Sequence, residues 1–390
     1  MMGYAEIIKK KMKDWDAPNL METSIGDSGD RIPFTSPMLT FATYGGIKRD
    51  TLTEFFGVES GGKSTSALDI CKNAVTLFQK EYEEKLAALQ EKASSGDKSA
   101  KSAVEDLQDV GRKKILYIDL EHSYDRNWSD VIGIEDGSID VMQPPVVSGE
   151  EILQTVLEVI ESGEVGLIVL DSVPSIESQR ELDKKLGEAT VASLAGLLTT
   201  FLKKAIPLLS RYHCTMIVIN QLRDDMNNPY NQMKTPGGRA LKFWSSLRLY
   251  FQRGEKVDFL GNPLPQNAED PAGFTVKAKV IKQKTAPNDR TNASYILMAR
   301  EGIAPMYDFA KLAITKYNII QKHAGWFTMC DPSTGEILEK DGKPFKINGL
   351  AKVYDYLREN PDYYNSLVDF VMEDLKNSTN GASGEEDELY

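Results

Sequence analysis

Nine consecutive residues, Gly57-Val58-Glu59-Ser60-Gly61-Gly62-Lys63-Ser64-Thr65, constrain this chain more than any other stretch. They fit G-x-x-x-x-G-K-[ST], the pattern of a loop that wraps phosphate groups. The flanks fit as well: residues 51–56 read as a short buried strand, and from Ser66 to Val75 apolar residues recur at helical spacing. Strand, glycine-rich turn and helix together aim backbone N–H groups at an anion, and the helix N-terminus adds partial positive charge. In such a cradle Gly57, Glu59, Ser60, Gly61, Gly62, Lys63, Ser64 and Thr65 surround the nucleotide. Lys63 reaches the β- and γ-phosphates, and the Ser64 hydroxyl binds Mg²⁺. The pattern implies a nucleoside triphosphate site.

The surroundings of the cradle set the fold class. Between 31 and 310, apolar strand-like runs at 114–119, 138–142, 166–171, 215–220, 247–251 and 277–282 alternate with helical patterns such as 150–161 and 191–208. Alternation of this kind implies an α/β protein with a mostly parallel central sheet and helices on both faces. Ligands in such folds bind beyond the carboxyl ends of the strands, where the cradle sits. Residues 78–109 interrupt the pattern as two highly charged helices joined by a turn, an inserted and solvated hairpin. A small α+β domain is expected at 313–376, with helices near 350–358 and 363–375.

Both ends read differently. Residues 1–30 form an arm whose short amphipathic helix puts Ile8, Met12 and Trp15 near one face. Terminal segments are ordered only when tied down, so the arm packs either on its own core or on a neighbouring protomer. Residues 377–390 are polar and end in Gly384-Glu385-Glu386-Asp387-Glu388-Leu389-Tyr390, a composition that predicts a disordered acidic tail.

Composition narrows the classes further. The 390 residues are 41% hydrophobic and 27% charged, with no apolar run near the ~20 residues a membrane span needs. The N-terminus lacks the basic-then-apolar order of a signal peptide. Three scattered cysteines offer neither a disulfide framework nor zinc spacing, which predicts a reducing cytoplasm. A net charge of −12 counts by itself against nucleic acid, since affinity for phosphate backbones comes from Lys and Arg. The acidic tail makes the charge uneven, so the total does not decide.

Two carboxylates complete the chemistry. Leu167-Ile168-Val169-Leu170-Asp171 is an apolar strand ending in the acid that a phosphate loop expects for Mg²⁺. The alternative for Asp171 is a cap on the next helix. Glu121, just past the strand Ile115-Leu116-Tyr117-Ile118-Asp119, is placed to activate water for ATP hydrolysis. Its alternative is a salt bridge to Arg126 or a lysine.

With these residues in order, the chain resembles bacterial RecA recombinases. The resemblance rests on the cradle, then Tyr117-Ile118-Asp119-Leu120-Glu121-His122, Leu170-Asp171-Ser172-Val173 and Ile219-Asn220-Gln221-Leu222-Arg223. It continues through Gly237-Gly238-Arg239-Ala240-Leu241-Lys242-Phe243, Val280-Ile281-Lys282-Gln283-Lys284, Arg300-Glu301-Gly302-Ile303 and Ala324-Gly325-Trp326-Phe327. It covers roughly residues 31 to 330 and implies a RecA-like P-loop ATPase core at 31–312. The hairpin and the N-terminus mark the chain as divergent, of phage or plasmid origin.

The resemblance implies roles residue by residue. Glu121 activates the hydrolytic water, Asp125 and Trp128 bind adenine, and Gln221 senses the γ-phosphate and opens the next loop. Lys282 and Lys284 cross to the neighbour's ATP; without the resemblance they read only as alternate residues of a surface strand. DNA-binding loops are expected at about 175–191 and 223–237. There Arg223, Lys234 and Arg239, with Lys203 on a nearby helix, meet phosphates. Gly237 and Gly238 expose backbone N–H groups, and Met226 or Tyr230 wedges between bases. Two departures stand out: the acidic pair Asp224-Asp225 and Gly196, at positions where the family carries basic residues.

The expected activity is that of a DNA-dependent ATPase using ATP and Mg²⁺. It polymerises on single-stranded DNA into a helical filament, pairs it with homologous duplex, and works with mediator or single-strand-binding proteins. Two rivals remain on the same core: a hexameric helicase or motor, and an ATP-switched regulatory or assembly protein. A small-molecule kinase is disfavoured, because no substrate lid is evident.

Overall fold

The computed structural model describes residues 31–185, 194–224 and 233–380. The arm at 1–30 and residues 381–390 of the tail lie outside the described residues, as do 186–193 and 225–232 within the two expected DNA loops.

The central sheet has nine strands: β1 (Leu52–Gly57), β2 (Lys114–Asp119), β3 (Asp140–Met142), β4 (Val165–Asp171), β5 (Thr215–Gln221), β6 (Leu247–Val257), β7 (Gly273–Gln283), β8 (Asn292–Met298) and β9 (Gly302–Ile303). Their spatial order is β9-β8-β7-β6-β1-β5-β4-β2-β3. The six strands from β6 to β3 run parallel, and β7, β8 and β9 add antiparallel neighbours. Every residue of β1 and β4 is buried because both faces are covered; β4 is apolar up to Asp171, while β1 also buries Thr53 and Glu54, the latter paired with Arg248.

Two layers of helices do the covering. On one face α1 (Lys63–Ser94) lays Ala67, Ile70, Cys71, Ala74 and Phe78 against Phe55, Ile115, Val169 and Ile217. On the other, α4 (Gly149–Glu161) and α5 (Leu194–Arg211) bury Leu153, Val156, Leu198 and Phe201 against Leu52, Ile118, Ile168 and Met216. Alternate residues of each strand thus serve opposite cores. Between these helices in sequence stand α2 (Lys98–Val110) and α3 (Arg126–Ile132).

The inserted hairpin is a continuation of the cradle helix. α1 runs 32 residues, and beyond Phe78 none of them is buried. Arg49 pairs with Glu81 and lies 5.3 Å over the Phe78 ring, which clamps the helix where it leaves the core. α2 returns along it, started by Asp97, whose side chain accepts from the backbone N–H groups of Ser99 and Ala100.

After β5 come α6 (Ala240–Trp244) and the edge strands, then α7 (Pro305–Thr315), α8 (Leu350–Glu359) and α9 (Pro361–Asn380). α7 starts at Pro305, which presets helical φ in its first turn. A three-stranded sheet (Ile320–His323, Trp326–Met329, Lys346–Asn348) and these helices enclose a third core around Leu312, Phe327, Val353, Leu357 and Val371. That core also takes Val257, Ile296 and Met298 from the central sheet. α9 extends to Asn380, so residues 377–380, expected in the tail, are helical.

Candidate active site

The cradle forms where β1 ends against β6. A side chain at Gly57 would put its Cβ 2.0 Å from the Phe251 carbonyl oxygen, so only glycine lets the two backbones approach this closely. Gly62 starts α1 without a side-chain cap, and the first turn carries no acidic residue. The first N–H groups of a long helix are therefore left for an anion. Lys63, 7% exposed, donates from Nζ to the Val58 carbonyl at 2.6 Å, holding the loop closed on itself. Burial pulls its pKa down, opposed by Asp171, Glu121 and Glu59. Over the loop lies a cavity of about 450 Å³. Residues 60–65 form its floor, Trp128 one wall, and Arg253, Phe274 and Leu297 the other.

Asp171, at the end of β4, faces this floor. Tyr117 Oη donates to its Oδ2 at 2.6 Å, while Oδ1 is buried with no hydrogen-bond partner. Burial raises the carboxyl pKa, and Glu121 and Asp119 add to the rise; Tyr117 and Ser64 work against it. An unpartnered buried oxygen on a carboxylate that neighbours the Ser64 side chain fits a Mg²⁺ ion or one of its waters. Asp171 caps no helix; the 3-10 turn that follows, Val173–Ser175, starts at Ser172.

Glu121 stands on a loop organised by Asp119. That buried carboxylate accepts from Tyr124 N at 2.8 Å, Glu121 N at 3.2 Å and Gln143 Nε2 at 2.9 Å. Glu121 Oε1 accepts from Gln221 Nε2 at 2.6 Å and from the Ser172 hydroxyl. The alternative partner, Arg126, pairs with Asp136 instead. Lys63, Ser64, Glu121, Asp171 and Gln221 are thus gathered at the carboxyl ends of β1, β2, β4 and β5.

Trp128 borders the cavity and sends its indole Nε1 to Thr65 Oγ1 at 3.4 Å. Asp125 is committed locally: its Oδ1 accepts from Trp128 N at 2.8 Å as the cap of α3.

Lys282 and Lys284 are not brought to this cradle. Lys282 pairs in register with Arg248, which pairs with Glu54, three residues before Gly57. At ~3.3 Å per residue Lys282 sits about 10 Å, and Lys284 further, back along the sheet from their own phosphate loop, towards the start of β1. Lys282 Nζ donates to the Lys242 and Phe243 carbonyls, and Lys284 Nζ to the Phe243 carbonyl at 2.9 Å, so both cations close the C-terminus of α6. Burial, then Lys284 and Arg248, pull the Lys282 pKa down to about 8.

The expected DNA-binding residues divide. Lys203, Arg223 and Arg239 are exposed. Arg223 pairs in register with Lys234 across a two-residue ladder. Met226 and Tyr230 lie outside the described residues. The expectation that Gly237 exposes its backbone is corrected: it is buried at φ +85, and a Cβ there would sit 2.5 Å from Leu198 Cδ1. Its glycine is required by the left-handed backbone at φ +85, with Leu198 of α5 packed against it. Gly238 is half-buried beside Ala195.

Three residues of the site escaped the sequence reading: Tyr117, Ser172 and Arg253. Ser172 carried a signal, since it directly follows Asp171. The Arg253 guanidinium lies 4.2 Å over the Phe274 ring and, among the described residues, pairs with no carboxylate. Its signal was position, two residues past Phe251 on the strand next to the cradle.

Residues 85–304 match the family model described as the RecA N-terminal domain. The chain is similar to "Protein RecA" of Thermus aquaticus, 31% identical over 92% of this chain and 89% of that one. It is also 30% identical to "Protein RecA" of Aquifex aeolicus (strain VF5), over 88% and 84% of the two chains. The crystal structure of the RadB recombinase aligns with a TM-score of 0.42 at 16% identity, covering 68% of this chain and 95% of that one.

Proposed function

The chain belongs to the RecA family, and on that premise we propose that it is an ATP-dependent recombinase that assembles on single-stranded DNA and pairs it with homologous duplex. One observation carries the proposal most directly. Gln221, whose Nε2 holds Glu121 at 2.6 Å, ends the strand that leads at once into the Arg223–Lys234 ladder. The group placed to handle the hydrolytic water and the loop proposed to meet DNA are therefore joined through one side chain.

The division of labour follows. The backbone of residues 57–65 and Lys63 bind the triphosphate of ATP, and Trp128 walls the base. Ser64 and the free oxygen of Asp171 hold Mg²⁺, which when bound neutralises charge on the phosphates. Glu121 takes the proton of the attacking water, oriented by Gln221 and Ser172. Lys282 and Lys284, set back along the sheet from their own cradle, stabilise phosphate charge on a neighbouring protomer, so hydrolysis requires assembly into a filament. Arg223, Lys234, Arg239 and Lys203 supply cations to the DNA backbone.

The proposed organisation has an arm at 1–30 contacting the next protomer, an ATPase core at 31–312, a small domain from 313 to the end of α9 at Asn380 and an acidic tail at 381–390. Duplex DNA and mediator or single-strand-binding proteins are the remaining proposed partners. No helix among the described residues is long and apolar enough to cross a membrane, and a cytoplasmic location is part of the proposal.

The experiment is ATP hydrolysis with and without single-stranded DNA, for the wild type and Lys284→Ala. DNA should stimulate the wild type, and the variant should bind nucleotide yet lose that stimulation. Hydrolysis that ignores DNA and survives the substitution would replace the recombinase with an ATP-switched regulatory protein.

A further inference from the structure

The two oxygens of Asp171 have unlike surroundings. Oδ2 accepts the Tyr117 hydroxyl at 2.6 Å, while Oδ1 is buried and unpartnered. Tyr117 has little freedom to release its oxygen. It is 2% exposed on β2, the strand beside β4, and its ring belongs to the core under α1, 5.8 Å from the Tyr124 ring.

We propose that Tyr117 sets the cation selectivity of this site: by occupying Oδ2 it limits Asp171 to one free oxygen and so favours Mg²⁺ over Ca²⁺. The proposal rests on the reading of Asp171 as the metal-side carboxylate. Its logic is coordination chemistry. Ca²⁺ gathers about 6–8 oxygens in flexible geometry and commonly takes both oxygens of a carboxylate. Mg²⁺ demands a tight octahedron, keeps several waters, and takes a single carboxylate oxygen directly or through water. A hydroxyl fixed on Oδ2 blocks the two-oxygen mode and leaves the one-oxygen mode intact. The same bond stops the carboxylate from turning, so Oδ1 keeps its aim. Tyr117 acts through Asp171 and is a positioning residue.

The test is calorimetric titration of ADP into the wild type and Tyr117→Phe, with saturating Mg²⁺, with saturating Ca²⁺ and with EDTA. The substitution removes the hydroxyl and keeps the buried ring. In the wild type, Mg²⁺ should tighten ADP binding over EDTA, and more than Ca²⁺ does. In Tyr117→Phe the Mg²⁺ gain should fall by about tenfold, the lower end of what outer-shell substitutions do. The Ca²⁺ gain should hold or rise, with EDTA affinity unchanged. An unaltered Mg²⁺/Ca²⁺ ratio overturns the proposal. So does an equal loss in all three conditions, which would make the hydroxyl a support of the whole pocket. A wild type that binds ADP equally well with Ca²⁺ and Mg²⁺ overturns it without any variant. A wild type indifferent to both cations would instead sink the reading of Asp171.

Discussion

Gln221 Nε2 donates to Glu121 Oε1 at 2.6 Å across 100 residues of sequence. The two sit at the ends of β5 and β2, with β4 between them, so the bond passes over Asp171-Ser172. Ser172 donates to the same oxygen, which leaves Oε2 for a water. In this arrangement Gln221 is engaged with the carboxylate. On the proposed function, a γ-phosphate entering the cradle would offer it a competing acceptor, and a shift of Gln221 would move the start of the loop at Arg223.

Substitutions at the two ends of this bond should separate chemistry from coupling. Glu121→Gln keeps the size and removes the base, so hydrolysis should fall by about 100-fold or more with nucleotide affinity retained. Gln221→Ala should leave slow DNA-independent hydrolysis and abolish its stimulation by DNA. Steady-state rates with and without single-stranded DNA decide this. A Gln221→Ala protein with full stimulation would remove Gln221 from the coupling path.

The parts of this site legible in the sequence are those where local geometry dictates residue type. Gly57 had to be glycine because the Phe251 carbonyl lies against it, and the apolar run before Asp171 marked a strand covered on both faces. Tyr117 and Ser172 were hidden for a different reason. Their contacts span 54 and 51 residues, and depend on which strand neighbours which. Periodicity reports burial and carries no strand order. Gly237 shows the converse error: next to Gly238 and Arg239 it looked like exposed backbone for phosphate, whereas it is buried beside Leu198 and its left-handed φ of +85 is what calls for glycine. The unbroken α1 was legible in principle, since residues 78–94 contain neither Gly nor Pro.

The position of Lys282 and Lys284 predicts complementation between inactive proteins. Lys284→Ala keeps an intact cradle and deprives its neighbour of one of the two cations; Glu121→Gln gives both cations and cannot hydrolyse. Mixing the two should restore hydrolysis at interfaces where the Glu121→Gln protomer faces a Lys284→Ala cradle. Action within one protomer would leave the mixture as inactive as its components.

Arg253 should contribute to nucleotide affinity. Its guanidinium rests 4.2 Å over Phe274 on the wall of the cavity, and among the described residues it has no carboxylate partner. A charge-assisted hydrogen bond contributes about 1.5–3 kcal/mol, so Arg253→Ala should weaken ADP binding by about tenfold or more. Trp128 reports the titration by its fluorescence, since it lines the same cavity. An unchanged affinity would leave Arg253 as surface packing alone.

Stability should depend on pH through Asp308, where α7 meets the segment that precedes the cradle strand. Its carboxyl is 1% exposed and accepts the Ser36 hydroxyl at 2.5 Å; Ser36 in turn caps the helix Pro37–Ala42. Burial raises its pKa to about 8, against the lowering by Ser36 and Lys311. In the unfolded chain the ordinary value is about 3.9. Between those values the folded protein binds more protons than the unfolded one, so this group's contribution is complete below about pH 4 and is lost as pH rises through about 8. Above that, folding must bury a charged carboxylate. Asp308→Asn keeps an acceptor for Ser36 and has no charge to bury. Urea unfolding at pH 5 and pH 8.5 should therefore show the variant gaining on the wild type with rising pH, by on the order of a few kcal/mol. Two stability profiles that run parallel would mean that Asp308 titrates as an ordinary carboxylate and that the junction tolerates its charge.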